Sequence, residues 1–468
     1  MAKLTREQAE KLSGTTLQTF NPYVIKTQAE VINLIRWGWD YKKGTPEILL
    51  SGSLGSSKSI LLAHLAVTHC LINWKAEVFI GRRSLPDLKK TIWQEILDHL
   101  GDLRDSVDYR VNKSDYTITF VATNSKIICG SWADRKYKKF RSLRLSMVII
   151  EELTENDEED FEVLKTLKGR LRRRPWIKEN VLICATNPDD PNTWQYKYFI
   201  EPQPHPTRFV FYSRTEENPF LDPVYIDQLR ADLDPISVRR YLNGEWVSIQ
   251  GQGIYYCYEP KLHFKKAEEY QLDPRLPLDI SWDFNIGNGK PMSITIGQHQ
   301  NEMFHVERSI CIESISTHLM LDEIQAMGYF DLGMKIRIFG DATGQARSTQ
   351  SLHSNYEIIK NFLGNYVDNS NRRLNFEMKV PRSNPPIRTR HNMVNSYLKN
   401  GKGESRLVIY KFAQKLDEGL RLTKLKKGAD YQEDDANDYQ HVTTALGYWI
   451  CYASNSKNLI ALKNSRRF

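Results

Sequence analysis

Short apolar runs recur through the first half of the chain, each closed by small or charged residues. Ile48-Leu49-Leu50 leads into a run of small residues and then into Ile60-Leu61-Leu62-Ala63-His64-Leu65-Ala66, the order strand, loop, helix. Glu77-Val78-Phe79-Ile80-Gly81 predicts a second strand ending at Arg82-Arg83, with a helix over roughly 85–100. Thr117–Phe120 and Lys126–Cys129 alternate or cluster as a hairpin, with 122–125 as its turn. Met147-Val148-Ile149-Ile150 and Val181-Leu182-Ile183-Cys184-Ala185 read as core strands. Strands alternating with helices predict an α/β fold with a mostly parallel sheet. Residues 1–45 form a lead-in with helical character over 28–35.

From about Ser248 the pattern changes. Gly251, Gly253, Pro260, Pro274 and Pro277 punctuate the chain around the cluster Tyr255-Tyr256-Cys257-Tyr258, and 248–272 reads as a linker. Leu278–Phe284 opens a second domain as a strand ending in an acid. Ser293–Gly297 and Phe304–Glu307 follow as strands, Thr317–Met327 as a helix, and Lys335–Asp341 as another strand ending in an acid. Asp438–Ile450 is helical with acids at its start. The expected domains are therefore 1–247 and 273–468.

A length of 468 residues suits two domains. The formal charge of +8 permits nucleic-acid binding without requiring it. Six cysteines at 70, 129, 184, 257, 311 and 451 form neither a zinc pattern nor a disulfide framework, which points to a reducing cytoplasm. The opening residues lack the character of a signal peptide, and no uncharged apolar run approaches the roughly 18 residues of a membrane span.

The chemistry sits at the strand ends. Gly52-Ser53-Leu54-Gly55-Ser56-Ser57-Lys58-Ser59 follows the first strand and opens a helix, the context of a phosphate-binding loop. Loop N–H groups and the helix dipole would face an anion, Lys58 would reach the β and γ phosphates of ATP, and Ser59 would help hold Mg2+. Ser57 stands where such loops usually carry their second glycine. Gln28, upstream, is placed where many nucleic-acid motor ATPases read adenine. Glu151-Glu152 ends a core strand; the first carboxylate would orient the Mg2+ shell and the second would polarise the attacking water. Thr186-Asn187 is placed to sense the γ-phosphate. Basic stretches at 135–141 and 165–174 offer contacts to a DNA backbone, which need charge but no base readout.

In the second half, Asp283, Asp341 and Asp438 can converge, two at strand ends and one near the N-terminal end of a helix. Oxygen ligands of this kind suit Mg2+ or Mn2+, and two such ions would clamp the oxygens of a phosphodiester cleavage. Asp434 and Asp435 are alternatives to Asp438, and His441 is a further candidate ligand or supporting group.

The phosphate loop, the apolar-Glu-Glu strand and Ala185-Thr186-Asn187-Pro188, in that order, resemble the large terminase subunit of tailed double-stranded DNA bacteriophages. Arg240-Tyr241-Leu242-Asn243-Gly244-Glu245-Trp246-Val247 is similar to the segment closing the ATPase domain of that family, and the second half resembles its RNase H-like nuclease domain. The resemblance implies an ATP-driven motor that packages double-stranded DNA into a procapsid and cuts concatemers. It implies a homo-oligomeric ring on the portal protein, a small terminase subunit as partner, and action in the host cytoplasm, transiently at the portal vertex, with no membrane partner. It also implies that Thr186-Asn187 couples hydrolysis to movement and that Arg141, ten positions before Glu151, reaches a neighbouring subunit's nucleotide, with Arg82 or Arg83 as alternatives. The family often carries an acid after His441 where this chain has Thr444. Rival readings are a helicase-like ATPase fused to a structure-selective nuclease, for whose second motor domain the length leaves no room, and a scaffold that binds nucleotide and DNA without catalysis.

Overall fold

The computed structural model describes residues 20–454 apart from 102, 135–139, 174–179, 249–252, 286–289, 347–352, 427–430, 435 and 437. The chain divides into two compact units, one running to Ile226 and including Arg239–Ser248, the other taking Asp227–Val238 and the described residues from Gly253 on.

The first unit is built on β1 (Glu47–Gly52), β2 (Glu77–Gly81), β3 (Tyr109–Asn112), β4 (Thr117–Phe120), β5 (Ser125–Gly130), β6 (Met147–Ile150), β7 (Val181–Thr186) and β8 (Arg208–Ser213). They lie in the order β3-β4-β5-β2-β6-β7-β1-β8, parallel from β5 to β8, with the expected hairpin β4–β5 closing at Phe120 opposite Ser125. Successive side chains of the central strands go to opposite faces. Ile80, Ile149 and Ile183 join one core with Val31 and Leu62, while Phe79, Val148 and Leu182 join another with Trp132 and Phe199. Covering both faces explains why these strands are apolar runs rather than alternating ones. Because the strands are parallel, β1, β2, β6 and β7 all end at one edge, and the loops that follow them meet there.

Two local expectations change. Strand β3 joins the hairpin, although its residues are half-buried or exposed and carry little apolar signal. The helix expected over 85–100 is two helices, Leu85–Lys90 and Ile92–His99, parted at Thr91. Leu88, Ile92 and Ile96 remain on one buried face across the break.

The second unit holds β9 (Phe264–Lys265), β10 (Leu278–Asp283), β11 (Pro291–Gln300), β12 (Met303–Glu313), β13 (Ile336–Gly340), β14 (Phe376–Met378) and β15 (Leu407–Phe412), in the order β14-β13-β10-β11-β12-β15-β9. The meander β10-β11-β12 is antiparallel, and the flanking pairs are parallel. The helix Tyr439–Ala453, buried from Gln440 to Ile450, packs against this sheet. There Ser281 Oγ donates to the Ala445 carbonyl at 2.7 Å and Trp449 Nε1 to Asp279 Oδ2 at 2.9 Å.

The described part of the expected linker is folded into this unit. Ile254, Tyr255, Cys257 and Tyr258 are buried with Phe304, Leu407 and Trp449, and Phe264–Lys265 pairs with β15. Pro274 lies in a turn and Pro260 opens the short helix Pro260–His263, but the aromatic cluster before them supplies core. Among the described residues no helix is long and apolar enough to cross a membrane.

Candidate nucleotide and nuclease sites

At the β1 edge, Gly52 leaves no room for a side chain. A Cβ there would lie 2.2 Å from Ser213 Oγ and 2.7 Å from Ser56 Oγ. Gly55 turns the loop at φ +69°, and Ser57, at φ 61° and ψ 30°, takes the left-handed conformation for which glycine is suited. The missing glycine therefore changes the residue but not the backbone path. Ser57 is held there from two sides. Its carbonyl accepts from Gln28 Nε2 at 3.0 Å and its Oγ from Asn218 Nδ2 at 2.9 Å, while Asn218 also donates to the Gly55 carbonyl at 2.6 Å. Gln28 Oε1 is buried with no hydrogen-bond partner, which leaves an acceptor beside the loop. Ser56 Oγ donates to the Ser53 carbonyl at 2.8 Å. The Arg240–Val247 segment lies on the same loop: Leu54 N donates to the Tyr241 carbonyl at 2.7 Å, and Trp246 Nε1 to Ser51 Oγ at 2.9 Å.

Lys58 Nζ donates to the Gly52 and Ser53 carbonyls at 2.8 Å each and to Asn187 Oδ1 at 3.0 Å. Burial lowers its pKa to about 8, against the attraction of Glu152 and Glu151. Ser59 Oγ donates to Glu151 Oε1 at 3.0 Å. The other Glu151 oxygen accepts from Thr91 Oγ1 at 2.8 Å and faces Arg82 Nη1 at 3.4 Å. Glu152, on the same turn, also has a left-handed backbone, at φ 50°. Burial pushes its carboxyl up to about 7, opposed by Lys58 and Arg82. Asn187 Nδ2 lies 3.5 Å from Glu152 Oε2, so one amide spans the lysine and the acid. Thr186 Oγ1 contacts Thr154 Oγ1 at 2.6 Å and accepts from Thr154 N at 3.1 Å, tying β7 to the turn after the acid pair. Paired hydroxyl and carboxylate oxygens at Ser59 and Glu151 fit a small hard cation.

Gln28, Lys58, Ser59, Glu151, Glu152 and Asn187 thus meet at one edge. Arg141 lies apart in an exposed turn, its carbonyl accepting from Arg170 Nη1 at 2.8 Å. Arg82, held against Glu151 and Glu155, is a cation that this chain places at the acids beside Lys58. In the basic stretch at 165–174, Lys165 pairs with Glu162, Lys168 with Glu47 and Arg173 with Glu77, so much of that charge anchors the fold. Residues 135–139 of the other basic stretch lie outside the described residues. Thr91, Asn218 and Thr215, whose Oγ1 donates to the Leu54 carbonyl at 2.6 Å, were not anticipated, because each reaches the site from a distant stretch of chain.

In the second unit, parallel pairing sets Trp282 opposite Gly340, so Asp283 and Asp341 emerge side by side from β10 and β13. Asp283 is buried, which raises its pKa against the hydrogen bond and charge of His441. Its Oδ2 lies 2.9 Å from His441 Nδ1 and accepts from Asn285 Nδ2 at 2.8 Å. Asp341 Oδ1 accepts from Thr343 N at 2.7 Å and from Asn384 Nδ2 at 2.6 Å. Asp438, left-handed at φ 57°, places Oδ1 3.3 Å from His441 Nε2, so the imidazole bridges Asp283 and Asp438. Asp434 Oδ1 accepts from Ala436 N at 3.1 Å, and Asp435 lies outside the described residues. The neighbouring strand-end carboxylates suit a divalent cation. Asp438 meets this pair through His441, and among the described residues no group of three or more His, Cys, Asp or Glu is arranged to hold a metal ion. Asn285 and Asn384 carried no signal in the sequence, being isolated amides in loops.

Residues 46–245 match the family model described as phage terminase large subunit. The fold is similar to that of the large terminase of a thermophilic bacteriophage, with a TM-score of 0.65 at 12% identity over 91% of this chain and 98% of that one. The same phage's large terminase in complex with ADP gives a TM-score of 0.63, again at 12% identity over 91% and 98%. In complex with ATP-γ-S it gives 0.61 at 12% identity over 92% and 98%. No match was found among curated protein sequences. Residues 46–245, most of the first unit, thus match the phage terminase large subunit family, and the chain shares the fold of a phage large terminase along nine-tenths of its length.

Proposed function

We propose that the protein is the ATP-hydrolysing subunit of a viral DNA-packaging motor and also a metal-dependent endonuclease that cuts concatemeric double-stranded DNA. The observation that carries the motor reading is the convergence of Lys58, Ser59, Glu151, Glu152 and Asn187 at the C-terminal edge of one parallel sheet. ATP phosphates would replace the Gly52 and Ser53 carbonyls as partners of Lys58. Ser59 and Glu151 would hold Mg2+, which supplies positive charge against the phosphates. Glu152, its pKa near neutrality, accepts a proton from the attacking water. Asn187, released by Lys58 when nucleotide arrives, would carry that change into β7 and, through Thr186 and Thr154, into the turn after the acids.

For cleavage, Asp283 and Asp341 would hold Mg2+ or Mn2+, with Asn285 and Asn384 orienting them. The partners implied by this role are double-stranded DNA, a small terminase subunit and a portal protein carrying a ring of these chains inside the infected cell. The test is ATP hydrolysis with and without double-stranded DNA, together with plasmid cleavage in Mn2+. Both activities are expected, and absence of both from folded, nucleotide-exposed protein sinks the proposal in favour of a scaffold.

A further inference from the structure

The break between Leu85–Lys90 and Ile92–His99 falls at a residue whose side chain reaches the acid pair. Thr91 Oγ1 lies 2.8 Å from Glu151 Oε2 and 2.8 Å from the Asp87 carbonyl, and accepts from Arg82 Nη1 at 3.1 Å. A hydroxyl has one proton, so it serves Glu151 or Asp87 but not both at once. The Asp87 bond is the ordinary return of a threonine hydroxyl to the carbonyl four residues back. With Ser59 on the other oxygen, the two hydroxyls hold Glu151 from opposite sides.

We propose that Thr91 is a positioning residue for the ATPase site, presenting Glu151 to the cation and taking the Asp87 carbonyl as its partner when Glu151 turns to its ligand. The inference rests on the ATPase reading above. It adds a hydroxyl from outside the phosphate loop and the acid strand, and it makes the two halves of the broken helix responsive to cation binding. Arg82 supports the arrangement by holding both Thr91 and Glu151, so its charge bears on the acid directly and through the hydroxyl.

The experiment compares full-length wild-type protein with Thr91→Val, which keeps the branched shape and loses the hydroxyl, and Thr91→Ser, which keeps the hydroxyl. Thr91→Ala serves as a second hydroxyl-free variant should Val fold poorly, as checked by thermal unfolding. Binding of a fluorescent ATP analogue is titrated against free Mg2+, and kcat and KM for ATP are measured. Because a hydrogen bond to a charged group is involved, loss of the hydroxyl is expected to raise the Mg2+ needed for half-maximal effect about tenfold and to lower kcat about tenfold. KM for ATP at saturating Mg2+ should stay within about twofold, and Ser should restore the Mg2+ dependence. An unchanged Mg2+ dependence in Val and Ala overturns the inference. So does a Ser variant as impaired as Val, which would assign Thr91 to packing alone. If wild-type protein neither binds nor hydrolyses ATP, the ATPase reading fails and the inference falls with it, a result distinct from active wild type with silent variants.

Discussion

Glu152→Gln separates a functional acid from a structural one, because its effects on activity and on stability have opposite signs. The carboxyl titrates at about 7 in the folded chain against an ordinary 4.5, with burial the main cause. A raised acid pKa means that the ionised form is disfavoured in the fold. The penalty is absent below about 4.5, grows between the two values and is complete above 7. At 1.36 kcal/mol per tenfold in proton affinity, the full penalty is about 3 kcal/mol. The neutral amide has nearly the same shape and escapes it. The variant is therefore expected to match wild type within about 1 kcal/mol at pH 4.5 and to exceed it by about 2–3 kcal/mol at pH 7.5. Urea unfolding of nucleotide-free protein at the two pH values, followed by a probe in the first unit, reads the difference. ATP hydrolysis by the same samples should fall about 10²–10⁴-fold while nucleotide binding persists. A variant destabilised equally at both pH values, or one hydrolysing ATP at the wild-type rate, would refute the assignment of a buried, functional Glu152.

Lys58→Ala should abolish ATP hydrolysis and nucleotide binding, measured by turnover and by fluorescent-nucleotide titration, while DNA cleavage by the second unit survives, since the two units have separate cores. Asp283→Ala and Asp341→Ala should each eliminate plasmid cleavage in Mn2+ and leave ATPase activity within about twofold; Asp438→Ala should reduce cleavage less, because that acid meets His441 rather than the strand-end pair. Arg141→Ala should lower hydrolysis only in assembled rings, its turn being exposed and apart from its own acids. Mixing it with Glu152→Gln subunits should recover part of the activity. No recovery in verified mixed rings would move the role to Arg82 or Arg83.

What the sequence determined by itself was whatever sits within one strand and the turn after it. An apolar run followed by Gly-x-x-Gly-x-x-Lys-Ser, Glu-Glu or Thr-Asn can be read locally, because burial dictates the run and the polar residues must fall at its end. β1, β6, β7, β10 and β13 follow that rule, and so do the acids that leave them. The tertiary structure decided which ends become neighbours, since strand order depends on pairings between residues far apart in the chain. The order β6-β7-β1 sets Asn187 between Lys58 and Glu152, and the pairing of β10 with β13 sets Asp283 beside Asp341. Thr91 meeting Glu151 and Asn384 meeting Asp341 have the same origin, for nothing near either residue in sequence announces a partner 60 or 43 positions away. The aromatic cluster 254–258 was illegible for a related reason: the local pattern there reads as a connection, but whether Tyr255 and Tyr258 are buried depends on surface supplied by Phe304, Leu407 and Trp449. Ser57 shows the limit from the other side. A serine there weakens the local motif, yet Gln28 and Asn218, from either end of the unit, hold it in the glycine conformation, and contacts of that reach outweigh a cost of about 1–2 kcal/mol in local backbone preference.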